Sequence, residues 1–141
     1  MAQSADRDVV VVDAVRTPFL KSNGAYRSLM SWELGREAIK GLLATTGVDP
    51  KAVDVVAMGT VVQDPRTSNL AREAMLGAAI PVTVPAFTTT LACISANVAA
   101  TTVADQIALG RVDVAIAGGA ESFSDPPIRL SKNLRQALVK M

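Results

Sequence analysis

Residues 85–119 read PAFTTTLACISANVAATTVADQIALGRVDVAIAGG. Pro85–Leu91 is an extended, Thr-rich run, and Cys93 follows it directly. Ile94–Leu109 then shows helical periodicity and stops at Gly110. Val112–Ala117 is another short apolar run, closed by Gly118-Gly119. A strand, a long helix and a second strand in this order predict a crossover between parallel strands. The alternation extends upstream. Val9–Val15 reads as a buried strand, ended by Arg16-Thr17-Pro18 because proline cannot donate to a ladder. Ser31 is placed to cap a helix that runs to about Thr46 and stops at Gly47. Val53–Met58 reads as the next buried strand. Asn69 caps a helix over Leu70–Ala79, which Pro81 prevents from continuing. The expected fold is α/β, a mostly parallel layered sheet with helices on both faces.

Composition narrows the function. Half of the 141 residues are apolar and 19% are charged, an excess made largely of Ala and Val. Small apolar side chains suit closely packed helix-on-sheet layers, or a surface that another chain covers. A net charge of +1 gives no general reason to expect nucleic acid as a partner. The charge is uneven, however. Arg129, Lys132, Arg135 and Lys140 give residues 126–141 a charge of +4 with no acid, so residues 1–125 sum to −3. Leu130, Leu134, Ala137, Leu138 and Met141 fall along one helical stripe there, so Arg129–Lys140 reads either as a binding surface or as a solvated helix face. No apolar run is long enough to cross a bilayer, and the N-terminus lacks the pattern of a secretory signal.

Cys93 is the only cysteine and the chain has no histidine, so no internal disulfide can form. No metal-ligating set is expected. Cys93 lies where a strand hands over to a helix, and sites in open α/β sheets form at the carboxyl ends of strands. A thiol in the first helical turn also feels the positive end of the helix dipole, which favours the nucleophilic thiolate. Placement alone leaves a packed, inert thiol as the alternative. Gly118-Gly119 either lets backbone approach the site closely or turns the chain. Glu121 either orients groups beside the site or ends a strand.

Thr90-Leu91-Ala92-Cys93-Ile94-Ser95-Ala96-Asn97 resembles the nucleophile motif of thiolases, in which Cys-x-Ser opens a long helix after a strand. Arg16-Thr17-Pro18-Phe19, Gly59-Thr60-Val61-Val62-Gln63, Asn69-Leu70-Ala71-Arg72 and Gly118-Gly119-Ala120-Glu121-Ser122-Phe123-Ser124 resemble further motifs of that family, in the family's order. Ala92–Asn97 and Asp125–Lys132 look like the branch that serves β-oxidation as the β subunit of a trifunctional complex. Many thiolases have Gly where this chain has Ala96.

The resemblance implies a thiolase-like fold of which this chain is the first half. Residues 1–121 would form the N-terminal half-domain, and 122–141 the start of an inserted loop region. It implies an acyltransferase that cleaves 3-ketoacyl-CoA with coenzyme A by way of an acyl thioester on Cys93. The Cys93 backbone N–H would donate to the oxyanion. Coenzyme A would be a substrate, with no permanently bound cofactor. The acid and base of the family, a His and a second Cys from downstream motifs, have no counterpart here. A Claisen-condensing synthase of the same fold and a non-catalytic acyl-CoA- or lipid-binding protein are the alternatives. The resemblance further implies a homo-oligomer, a subunit interface involving Asn69 and Arg72, and a hydratase/dehydrogenase partner subunit. Peripheral membrane contact would run through Arg129–Lys140. The expected location is the cytoplasm, or the mitochondrial matrix in a eukaryote.

Overall fold

A computed structural model describes residues 7–124 and 126–140. Helix α1 (Ser31–Thr46) is followed by a 3-10 turn at Pro50–Ala52 and strand β1 (Val55–Gly59). Helix α2 (Leu70–Gly77), strand β2 (Ala86–Thr89), helix α3 (Ser95–Ala108), strand β3 (Ala115–Gly119) and helix α4 (Lys132–Val139) complete the order. Among the described residues the strands form one parallel sheet in the order β2-β1-β3. Met58 of β1 pairs with Thr88 on one side and Gly118 on the other.

Side chains alternate across a strand, and here the alternation divides two apolar layers. Val56, Met58 and Ile116 pack with Ile39 of α1 and with Leu70, Ala71, Ala74 and Met75 of α2. Val55 and Ala57 pack on the opposite face against Ala99 and Val103 of α3. Helices therefore cover both faces, and β1 is buried along its whole length. Each Val, Leu or Met side chain so buried contributes about 1.5–3 kcal/mol.

Three sequence expectations are corrected. Val9–Val15 has no regular secondary structure, and Val10, Val11 and Val12 are 73%, 88% and 80% exposed. The segment is tied at both ends to the flanks of β3. Arg7 pairs with Asp113, the Ser22 hydroxyl donates to the Phe123 carbonyl at 2.7 Å, and the Asn23 N–H donates to Ser124 Oγ at 3.1 Å. Between these ties the segment runs without regular secondary structure from residue 7 to residue 20. A void of about 950 Å³ opens between it, α1, α3 and β3. A Val-rich run becomes a buried strand only where a ladder partner lies about 4.8 Å away, and among the described residues Val9–Val15 pairs with no strand.

Second, Met30 rather than Ser31 is the N-cap of α1. The Glu33 carboxylate accepts from the Met30 N–H at 2.9 Å, and Ser31 is buried inside the helix. Third, Gly118-Gly119 lies within β3 rather than after it. α4 forms over the predicted stripe, with every residue exposed and Met141 outside the described residues. No helix among the described residues is long and apolar enough to span a membrane.

Candidate functional site

The carboxyl ends of β1, β2 and β3 converge on the N-terminus of α3, and the local packing depends on two glycines. A Cβ at Gly59 would collide with the backbone of Ser95 and Ala96, and one at Gly119 would lie 2.9 Å from Ala96 Cβ. Gly119 therefore serves close approach. Ala96 fits because Gly119 faces it with no side chain.

Cys93 sits in the turn between β2 and α3. Ile94 is the N-cap of α3, so Cys93 lies just before the helix rather than in its first turn. The turn is strained, because Ala92 has φ +47°, a left-handed conformation that costs a non-glycine residue about 1–3 kcal/mol. Ser95 offsets that strain. It is 3% exposed, and its hydroxyl accepts from the Leu91 N–H and donates to the Ala92 carbonyl, both at 2.7 Å. The Thr89 hydroxyl donates to the Ser95 carbonyl at 2.9 Å. The backbone bonds of the turn join Ile94 to Leu91 and Ser95 to Ala92, and the Cys93 N–H takes part in neither. Cys93 is exposed and lines the 950 Å³ void, whose wall includes Val103, Ile107 and Ile116. An apolar cavity with a thiol in its wall can hold an acyl chain next to a nucleophile.

Glu121 straps the end of β3 to the loop after β1. Its carboxylate accepts from the Val61 N–H at 2.8 Å, the Val62 N–H at 3.0 Å and the Thr60 hydroxyl at 3.4 Å. Asn69 caps α2 through Oδ1, which accepts from the Arg72 N–H at 3.0 Å and from the Thr88 hydroxyl at 2.9 Å. Arg72 donates to the carbonyls of Val82 and Val84, both at 2.8 Å. Both residues brace α2 against β2 and its preceding loop. They do not reach the Cys93 turn. Among the described residues no group of three or more His, Cys, Asp or Glu side chains is arranged to hold a metal ion.

Comparison with known proteins agrees with this arrangement. The family described as "Thiolase, N-terminal domain" matches residues 9–140, so the chain belongs to the thiolase family. Within it, the chain is similar to the mitochondrial trifunctional enzyme subunit beta of Homo sapiens, 50% identical over 141 residues. That match covers all of this chain and 30% of the relative. A probable 3-ketoacyl-CoA thiolase of Caenorhabditis elegans is 48% identical over 134 residues, covering 95% of this chain and 30% of the relative. The crystal structure of the acetyl-CoA acetyltransferase of Bacillus anthracis superposes with a TM-score of 0.88 at 34% identity, covering 93% of this chain and 33% of that one. The chain thus spans about a third of the length of these relatives.

Proposed function

We propose that this chain is the nucleophile-bearing part of a β-oxidation thiolase. The protein would cleave 3-ketoacyl-CoA with coenzyme A to acetyl-CoA and a shortened acyl-CoA. The observation that carries the reading is the exposed Cys93, held on a strained, Ser95-braced turn in the wall of an apolar cavity. The Cys93 thiolate attacks the C3 ketone, and the C2–C3 bond breaks with its electron pair leaving on C2. That carbanion takes a proton and departs as acetyl-CoA, leaving the shortened acyl group on Cys93 as a thioester. The thiol of a second coenzyme A then takes the acyl group and regenerates Cys93. The Cys93 N–H is the oxyanion donor. Proton transfer falls to groups outside these 141 residues, which contain no His and no second Cys. Coenzyme A acts as a substrate rather than a resident cofactor.

The similarity to trifunctional β subunits supports a homo-oligomer associated with a hydratase/dehydrogenase subunit, in the mitochondrial matrix of a eukaryote or the cytoplasm of a bacterium. Residues 1–121 are the half-domain, and 122–141 begin an inserted loop region. In that region the exposed α4 carries Leu134 and Leu138 beside Lys132 and Arg135, which suits contact with an anionic membrane surface. Changing Lys132, Arg135 and Lys140 together to Ser is expected to weaken co-sedimentation with anionic vesicles and reduce its salt sensitivity. Unchanged sedimentation would leave α4 as a solvated helix.

The function is tested by supplying the full-length protein with a 3-ketoacyl-CoA and free coenzyme A. Acetyl-CoA and an acyl-CoA two carbons shorter are the expected products. Binding without turnover would indicate an acyl-CoA-binding protein instead. Condensation of acyl units without thiolysis would indicate a synthase.

A further inference from the structure

The peptide unit joining Thr60 to Val61 is held from both sides. Its N–H donates to Glu121 Oε2 at 2.8 Å, while its C=O accepts from the Thr90 hydroxyl at 2.9 Å. Thr90 stands three residues before Cys93, and its hydroxyl also accepts from Gln63 Nε2 at 3.1 Å. The Thr60 N–H, on the other side of the same residue, donates to the Thr89 carbonyl at 3.1 Å. A carboxylate accepting backbone N–H groups makes charge-assisted bonds, stronger than neutral ones. In a chain of such bonds each polarises the next, so the N–H bond to Glu121 strengthens the carbonyl as an acceptor for Thr90. Glu121 has no ion-pair partner among the described residues, so its charge is directed to these backbone donors.

We infer that Glu121 is a positioning residue for Cys93, acting through the Thr60–Val61 peptide and the Thr90 hydroxyl. The relay pins the carboxyl end of β2 where the strained Ala92–Cys93 turn begins. It reaches the nucleophile from β3, the strand on the far side of β1 from β2. Loss of the carboxylate frees the Thr60–Val61–Val62 loop, and the turn loses its upstream anchor while the Ser95 brace stays in place. This inference rests on the reading of Cys93 as the acylated nucleophile.

The test uses the full-length protein and single-turnover acylation by an acyl-CoA without free coenzyme A. Glu121→Gln keeps the shape but removes the negative charge that strengthens the bonds from the Val61 and Val62 N–H groups, and Thr90→Val removes the hydroxyl. Each is expected to slow acylation about tenfold with little change in acyl-CoA affinity, and the double variant should be no slower than about tenfold, since both break one relay. Thr90→Ser restores the hydroxyl and is expected to stay within about twofold of the parent. Multiplying effects, a Thr90→Ser rate as low as that of Thr90→Val, or an undisturbed Glu121→Gln would each overturn the inference. Should Glu121→Gln not fold, equal acylation rates for Thr90→Val and the parent would still overturn the inference. Alkylation of Cys93 by iodoacetamide in the same variants needs no acyl transfer. A relay effect on alkylation without any acylation in the parent protein would count against the function reading and leave the positioning of Cys93 intact.

Discussion

At the scale of single residues, the turn that presents Cys93 is held by small side chains and short bonds, and only part of this was legible in the sequence. Cys93 stood out as the single thiol at a strand-to-helix junction. Ser95 was visible as a motif residue, and its position four after Leu91 lets one hydroxyl close the turn in both directions. Nothing in the sequence indicated the φ of +47° at Ala92, because alanine is an ordinary helix former and the strain is imposed by the contacts around it. Glu121 was a candidate with two readings, and its bonds to Val61 and Val62 could not be read from a position sixty residues away. The pairing of Ala96 with Gly119 leads to a prediction. Gly119→Ala would place two methyl carbons 2.9 Å apart, and is expected to destabilise the fold by about 1–3 kcal/mol. Adding Ala96→Gly to it removes the methyl contact but leaves the Gly59 carbonyl oxygen 3.0 Å from the new Cβ, so it should recover only part of that loss, which urea unfolding of the single and double variants measures. Equal stability of Gly119→Ala and the parent would show that the helix shifts freely.

At the scale of elements, the helices α1, α2 and α3 and the strands β1, β2 and β3 lie within a few residues of their predicted ranges. α1 stops at Gly47, left-handed at φ +69°, and α2 stops at Gly77, with Ala79 left-handed at φ +62° ahead of Pro81. Val9–Val15 is different, because a strand depends on a neighbour while a helix satisfies its own backbone. Its composition suits a buried strand, yet among the described residues it has no ladder partner. A separate bond sets the start of β1. The Asp54 carboxylate accepts from the Val114 and Asp113 N–H groups at 3.0 and 2.8 Å, and these bonds hold its pKa below the ordinary value of 3.8. A depressed carboxylate pKa contributes stability that is present above the unfolded value and lost as pH falls through the folded value. The thermal stability of the parent should therefore fall below about pH 3.8 more steeply than that of Asp54→Asn. Parallel curves for the two proteins would show that the bonds to β3 add nothing.

At the scale of the whole molecule, the described fold leaves backbone hydrogen-bonding groups and apolar side chains without cover. β3 is an open sheet edge, Val10–Val12 are exposed beside it, and the void between them is large. Open edges and exposed apolar patches recruit other chains. The isolated 141-residue chain is therefore expected to associate as its concentration rises, seen as a growing weight-average mass in sedimentation. A monomer at every concentration would show that the Val9–Val15 segment shields the edge by itself. The central claim of the proposed function, that Cys93 carries the acyl group, is tested on the full-length protein. The most direct measurement is mass spectrometry of the full-length protein after incubation with an acyl-CoA and no free coenzyme A. The account predicts one acyl thioester, located on the peptide containing Cys93 and released by added coenzyme A. The adduct should be absent in Cys93→Ala, while Cys93→Ser keeps the fold and loses most of the turnover. An acyl group found on a different residue, or near-normal turnover by Cys93→Ala, would contradict it.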